Sequence, residues 1–148
     1  MDAISHTLLL ADDDSDDCIF FKDALDELPV SANLITVKDG VELMELLSES
    51  QTVLPDILFL DLNMPRKTGF ECLFEIKANE KLKHLPIVIL STSLDLKVVN
   101  SLYDMGAHYY IRKPGEFALL KKLLHEAILI TTQKNAEKPR KENFILEF

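Results

Sequence analysis

Residues 54–73 read LPDILFLDLNMPRKTGFECL, and the fold is decided inside this stretch. Ile57, Leu58, Phe59 and Leu60 form an unbroken apolar run bounded by Pro55 on one side and Met64-Pro65 on the other. A run without alternation predicts a central strand of a parallel sheet, buried on both faces. Asp61 follows at the carboxyl end of that strand, the edge of an open α/β sheet where ligands bind and chemistry occurs. A carboxylate in that position calls for a reason. Pro65 and Gly69 mark a loop, after which Phe70, Leu73, Phe74 and Ile76 resume at helical spacing.

Working outward, the chain alternates strand and helix patterns at short intervals. Thr7–Ala11 predicts a first strand, followed by an acidic turn over Asp12–Asp17 and a helix to about Leu28, with Ile19, Phe20, Leu25 and Leu28 inward and Pro29 as its stop. Leu34–Val37 predicts a second strand, and Asp39-Gly40 opens a helix carrying Leu43, Leu46 and Leu47. After the helix of Phe70–Ala78, Ile87–Leu90 is a fourth strand that ends in Ser91–Ser93. Val98, Val99, Leu102 and Met105 mark a fourth helix closed by Gly106. His108–Arg112 is the fifth strand, Lys113-Pro114 its exit and Phe117–Ile130 the fifth helix. These units and the absence of an internal repeat predict an α/β fold: a doubly wound five-stranded parallel sheet, helices on both faces. Right-handed crossovers and too few units for an eight-fold barrel favour this sandwich.

The 148 residues suit a single domain able to bury a core without staples. An apolar fraction of 47% with 28% charged residues is that of a globular protein, and a net charge of −9 argues against direct nucleic-acid binding. Cys18 and Cys72 make no disulfide framework, which predicts a cytoplasmic setting. No apolar run reaches the ~18–20 residues of a membrane span, and the start, MDAISH, lacks the pattern of an export signal. No membrane insertion is expected.

The carboxyl ends of the strands carry Asp12 and Asp13, then Asp61, then Ser91-Thr92, then Lys113. In the strand order 2-1-3-4-5 the first and third strands are neighbours, so three carboxylates converge at the switch point. Three such charges do not stay ionised together unaided. A hard cation with oxygen ligands resolves this, and Mg²⁺ fits because it binds through a few carboxylates and keeps waters that a phosphate replaces. With Lys113 as a movable positive charge and Ser91 as a hydroxyl donor, the set suits receipt of a phosphoryl group on a carboxylate.

These residues resemble the response-regulator receiver domains of bacterial two-component signalling, over about Thr7 to Thr131. LLLADDD matches the acidic pair, LFLDLNMPRKTGFECL the phosphoacceptor and its loop, IVILSTS the hydroxyl, and GAHYYIRKP the switch aromatic and the lysine. The resemblance implies a flavodoxin-like sheet and Asp61 as phosphoacceptor. It implies Mg²⁺ bound by Asp13, Asp61 and the backbone carbonyl of Asn63, with Asp12 acting through water. It further implies Ser91 and Lys113 as partners of the phosphoryl group and Tyr110 as the switch aromatic. A sensor or hybrid histidine kinase, or a phosphotransfer protein, would supply the phosphoryl group, and a downstream protein target would read it. The chain departs from the family pattern at Thr92, which narrows access to Asp61, at Thr68, where Asp is common, and at Gly115, which loosens the turn into the last helix. The family's small stand-alone members share the loop around Pro29–Asn33 and the STS ending.

Plainer readings apply to some of these residues. Acidic residues at a helix start often serve the helix dipole or its cap, which is the reading for Ser15, Asp16 and Asp17. Asp12-x-Asp14-x-Asp16 opens like a calcium loop, but Asp17 stands where that loop needs Gly and Asp23 where it needs Glu. His6, His84, His108 and His125 lack ligand spacing, and of Tyr109 and Tyr110 alternation turns only one inward. A rival of another class is a phosphohydrolase of the haloacid-dehalogenase type, with Asp12 as nucleophile and Asp14 as acid/base. It needs a late acidic pair, whereas no aspartate follows Asp104. A second rival is an interaction module independent of phosphorylation, which would require loss of Asp61, Asp13 or Lys113.

The expected domain plan is a receiver over residues 1–131 and a tail over 132–148, too short for an output domain. Phosphorylation is expected to draw Ser91 toward Asp61, let Tyr110 turn inward, and alter the surface of the fourth helix, fifth strand and fifth helix. Self-association through that face or through the tail is expected with it. The tail ends FILEF. Phe144, Ile145, Leu146 and Phe148 are expected to dock in an apolar groove near the fifth helix or on a second subunit, with Lys138–Lys141 facing acidic surface.

Overall fold

The computed structural model describes residues 5–49, 53–133 and 137–147; most of the N-terminal MDAISH and the terminal Phe148 lie outside them. Five strands, β1 (Ser5–Ala11), β2 (Ser31–Val37), β3 (Ile57–Asp61), β4 (Ile87–Ser91) and β5 (Tyr109–Arg112), form one sheet in the order β2-β1-β3-β4-β5. Every pairing is parallel, with Leu10 opposite Phe59, Asp61 opposite Leu90, and Ile89 opposite Tyr110. Between and after the strands come α1 (Ser15–Asp26), α2 (Gly40–Ser48), α3 (Gly69–Lys77), α4 (Leu96–Asp104) and α5 (Phe117–Thr131). This is the doubly wound parallel sheet expected from the strand pattern, in the flavodoxin-like order that the resemblance implied.

β3 and β4 are buried throughout and β1 from Leu8 to Ala11, and their alternate residues divide between two cores. Leu8, Leu10, Ile57, Phe59, Val88 and Leu90 pack with α1 and α5 through Phe21, Leu25, Leu120, Leu124 and Ile128. Leu9, Leu58, Leu60, Ile87 and Ile89 pack with α2, α3 and α4 through Leu43, Leu47, Leu73, Ile76, Val99 and Leu102. Removing such side chains from water is the main stabilising term, about 1.5–3 kcal/mol for each one fully buried.

Several elements differ in detail from expectation. The inward face of α1 is Phe21, Ala24 and Leu25, while Ile19 is 59% exposed. Positions 21, 24 and 25 share one helical face, and Ile19 falls outside it. On α3 the buried set is Cys72, Leu73 and Ile76, and Phe74 is 69% exposed. The second strand starts at Ser31, inside the stretch read as a loop; as an edge strand it needs only partial apolar alternation, which Ser31, Asn33 and Thr36 disguise. Thr68 caps α3 in a reciprocal capping box with Glu71. Gly115 faces open space, where a Cβ would meet nothing. Among the described residues no helix is long and apolar enough to cross a membrane.

The tail is the largest addition. Residues 141–143 make a short 3₁₀ turn, and Ile145 then forms a parallel bridge with Tyr110 on the outer edge of β5. Phe144 enters the α2–α4 side core at 1% exposure, and Leu146 packs on the α1–α5 side. The groove is therefore on the chain's own domain, over β5 and between α4 and α5. Among the described residues, the acid that these basic residues meet belongs to the tail itself and not to the surface it crosses. Lys138 lies 3.9 Å over the Tyr103 ring and donates to the Tyr103 carbonyl, and Arg140 pairs with Glu142 at 3.9 Å. The terminal carbonyls of α4 and an aromatic face attract a cation as an acid would.

Candidate functional site

The parallel sheet brings its strand ends to one edge, and backbone bonds tie the neighbouring ends together: Asp12 N–H donates to the Val37 carbonyl at 3.0 Å and Lys113 N–H to the Ser91 carbonyl at 2.7 Å. Asp61 ends β3 at 7% exposure, with its backbone pressed against the next helix. A Cβ on Gly69 would come within 2.3 Å of the Asp61 carbonyl oxygen, so only glycine lets α3 start there. The loop between them is held at Arg66, whose backbone has φ of +66° and whose guanidinium takes both carboxylate oxygens of Asp39, the cap of α2, at 3.0–3.1 Å.

Asp12, Asp13 and Asp61 each offer a carboxylate oxygen within 4.8 Å of the others. Asp12 and Asp61 are buried, and Asp13 is exposed at the mouth. Lys113 reaches in from the end of β5, with Nζ 2.9 Å from Asp12, 2.9 Å from Asp17 and 3.5 Å from Asp61. Three carboxylates thus surround one ammonium. Burial first, then Asp12, push the Asp61 carboxyl up against the pull of Lys113, to about 6 in all. Burial works against the charge on Lys113, but its bonds to Asp12 and Asp17 outweigh burial and hold its pKa above the ordinary lysine value. Asn63, exposed, places its N–H 3.5 Å from Asp61 Oδ1. Ser91 is buried at the end of β4, its hydroxyl 3.3 Å from that of Ser93, and the exposed Thr92 follows it. The donor set suits a hard cation: oxygen atoms, an excess of negative charge and one open side.

The structure thus brings Asp12, Asp13, Asp61 and Lys113 together and places Ser91 beside them on the neighbouring strand. Tyr110, on the strand beyond, is the inward member of its pair, 1% exposed, with its hydroxyl donating to the Ser93 carbonyl. Two assignments change. Asp17 is part of the charge cluster, since α1 aims its first turn at Lys113. The helix cap is instead Asp14, whose carboxylate accepts from the N–H groups of Asp16 and Asp17 at 2.9 and 3.1 Å. Once Asp14 is known as the cap, Asp17 follows as the third residue of the helix, which is the signal sequence reading lacked. A carboxylate accepting two backbone bonds is poorly placed as an acid/base, and the hydrolase reading loses its second residue. Cys18 borders the cluster with its thiol pushed up to about 11, by burial first and then by Asp12 and Asp17, so it stays neutral.

Comparison with known proteins agrees with this geometry. A response regulator Rcp1 from Synechocystis is 31% identical over 121 residues, covering 79% of this chain and 82% of its own. The crystal structure of the Mn(2+)-bound form of Rcp1 superposes with a TM-score of 0.77 at 28% identity, over 87% of this chain and 97% of that one. The structure of the phosphorylated cyanobacterial phytochrome response regulator RcpA gives a TM-score of 0.78 at 33% identity, over 88% and 98%. Neither the hydrolase nor the phosphorylation-independent module finds support among these relatives. The model of the response regulator receiver domain matches residues 8–125, and with the sheet order and strand-end residues above this shows that the chain belongs to that family, a signalling protein of the two-component type.

Proposed function

We propose that Asp61 is the phosphoacceptor and that Asp12, Asp13, Ser91 and Lys113 serve its phosphorylation. The observation that carries this is a buried strand-end carboxylate 3.5 Å from Lys113 Nζ with two further carboxylates converging on it. An Asp61 oxygen attacks the phosphorus of a phosphohistidine, the P–N bond breaks, and the product is an acyl phosphate on Asp61. Lys113 exchanges contacts from its carboxylates to the new phosphoryl oxygens, and the Ser91 hydroxyl donates to one of them. A divalent cation, Mg²⁺ in this reading, would be held by Asp13, Asp61 and the Asn63 backbone carbonyl, with Asp12 acting through water, and would neutralise charge on the phosphoryl oxygens. The domain is no enzyme toward outside substrates; the same residues promote its own phosphorylation and dephosphorylation.

A sensor or hybrid histidine kinase or a phosphotransfer protein is the donor in this reading, in the cytoplasm. A protein target, or a second copy of the chain, reads the surface of α4, β5 and α5, which the tail crosses. The test is phosphorylation by acetyl phosphate with and without Mg²⁺, followed by mass spectrometry and trapping of the acyl phosphate. Mg²⁺-dependent label at Asp61, lost in Asp61→Asn, is expected. Label at wild-type rate in Asp61→Asn would overturn the assignment.

A further inference from the structure

We infer that the tail, residues 137–147, is a clamp in cis that holds Tyr110 in the orientation compatible with a phosphorylated Asp61, so that tail docking and phosphorylation strengthen each other. This rests on Asp61 as phosphoacceptor and concerns how that site is regulated.

Tyr110 is the point where two networks meet. Its side chain points toward the site and donates to the Ser93 carbonyl. Ser93 N–H in turn donates to Ser91 Oγ at 3.3 Å. Its backbone points the other way, to the tail: Tyr110 N–H donates to the Phe144 carbonyl at 3.0 Å, and Leu146 N–H donates to the Tyr110 carbonyl at 2.9 Å. The Phe144 ring packs 6.4 Å from the Tyr110 ring and 5.3 Å, edge-on, from that of Tyr103 on α4. Tyr103 is itself held by the tail, through its hydroxyl to the Pro139 carbonyl at 2.8 Å. An inward Tyr110 thus needs no rearrangement to stay in when the site is filled, and an outward one would lose its packing on Phe144.

The sign of the coupling follows from the hydroxyl inventory. A serine hydroxyl donates one bond and accepts two. Ser91 can therefore give its proton to a phosphoryl oxygen on Asp61 while still accepting from Ser93 N–H. That bond fixes Ser93, keeps its carbonyl facing Tyr110, and favours the ring position that Phe144 covers. Linkage requires the effect to run both ways. One consequence is that the Tyr110 N–H and C=O on the outer edge of β5 are already taken, so a partner reading this face meets the tail.

The test uses full-length protein with beryllofluoride and Mg²⁺ as the phosphoryl mimic, titrated by fluorine NMR. It is run on wild type, Asp61→Asn, Phe144→Ala and Leu146→Pro, the last removing the tail's N–H donor to Tyr110 together with the Leu146 side chain. Both tail variants should bind beryllofluoride about 5-fold or more weakly, at the lower end of usual coupling strengths. Exchange of the Leu146 amide in wild type should slow on beryllofluoride binding. Wild type that binds no beryllofluoride, or Asp61→Asn that binds it equally, defeats the phosphoacceptor reading itself. Asp61-dependent binding that is unchanged in Leu146→Pro, or Leu146 exchange that is unchanged or faster in wild type, defeats the clamp alone. Should Phe144→Ala lose its folded circular dichroism spectrum, those last two measurements still decide.

Discussion

Replacing Asp61 by Asn should make the metal-free protein more stable while ending phosphoryl acceptance. The carboxyl is 7% exposed and pushed from its ordinary 3.8 to about 6, by burial first and with Asp12 adding to it against the pull of Lys113. The native state therefore binds a proton there that the unfolded chain has already released, between about pH 4 and pH 6. Stability falls as pH rises through that window, because a raised carboxyl favours folding only in its protonated form. The gap from 3.8 to about 6 corresponds to about 3 kcal/mol at about 1.4 kcal/mol per pH unit. Asparagine keeps the shape and carries no charge at any pH, so Asp61→Asn should gain little near pH 4 and up to about 3 kcal/mol above pH 6.5. For a chain of this length that is roughly 6–12 °C in Tm. The assay is urea and thermal unfolding in chelator across that pH range. An Asp61→Asn protein that is no more stable than wild type at neutral pH, or whose gain does not grow with pH, refutes the charge-crowding argument. Added Mg²⁺ should narrow the difference, since it binds and stabilises the carboxylate form.

Removing the cation of the cluster should act in the opposite direction. Lys113→Ala leaves the buried Asp12 and Asp61 without their ammonium and should cost about 3–5 kcal/mol at neutral pH in chelator, measured by urea unfolding; no loss would mean the pairs contribute nothing. Gly69→Ala should destabilise by about 1–3 kcal/mol and slow acetyl phosphate labelling, because its Cβ would sit 2.3 Å from the Asp61 carbonyl; wild-type values in both would show that the loop yields freely. His108 has its pKa pushed down to about 4, by burial and then by Lys77 and Lys138, and its Nδ1 accepts from Ile87 N–H at 3.2 Å. Its contribution is present above pH 6.5 and is lost as pH falls from there toward 4, by up to about 3 kcal/mol. His108→Asn, which keeps an acceptor but does not titrate, should flatten that limb of the stability profile.

Local patterning along the chain was enough to dictate the sheet and the charges on its edge. A central parallel strand is covered on both faces, so Ile57–Leu60 had to be continuously apolar, and the first charge to break the run, Asp61, had to lie where the strand leaves the core. The same logic located Asp12, Ser91 and Lys113, and strand order then brought them together. Tertiary structure alone decided contacts that depend on helix phase or on elements far apart in the chain. Asp17 meets Lys113 across a separation of 96 residues because of the angle at which α1 leaves its Asp14 cap. Ile19 and Phe74 face water although both are large and apolar, since a helix buries only the arc its neighbours leave open. The tail's path was decided the same way. Its apolar residues announced a need for cover, but the sheet edge and the Tyr103–Tyr110 pocket that provide it exist only once β5 and α4 are packed, so no local pattern in FILEF specified where Phe144 would go.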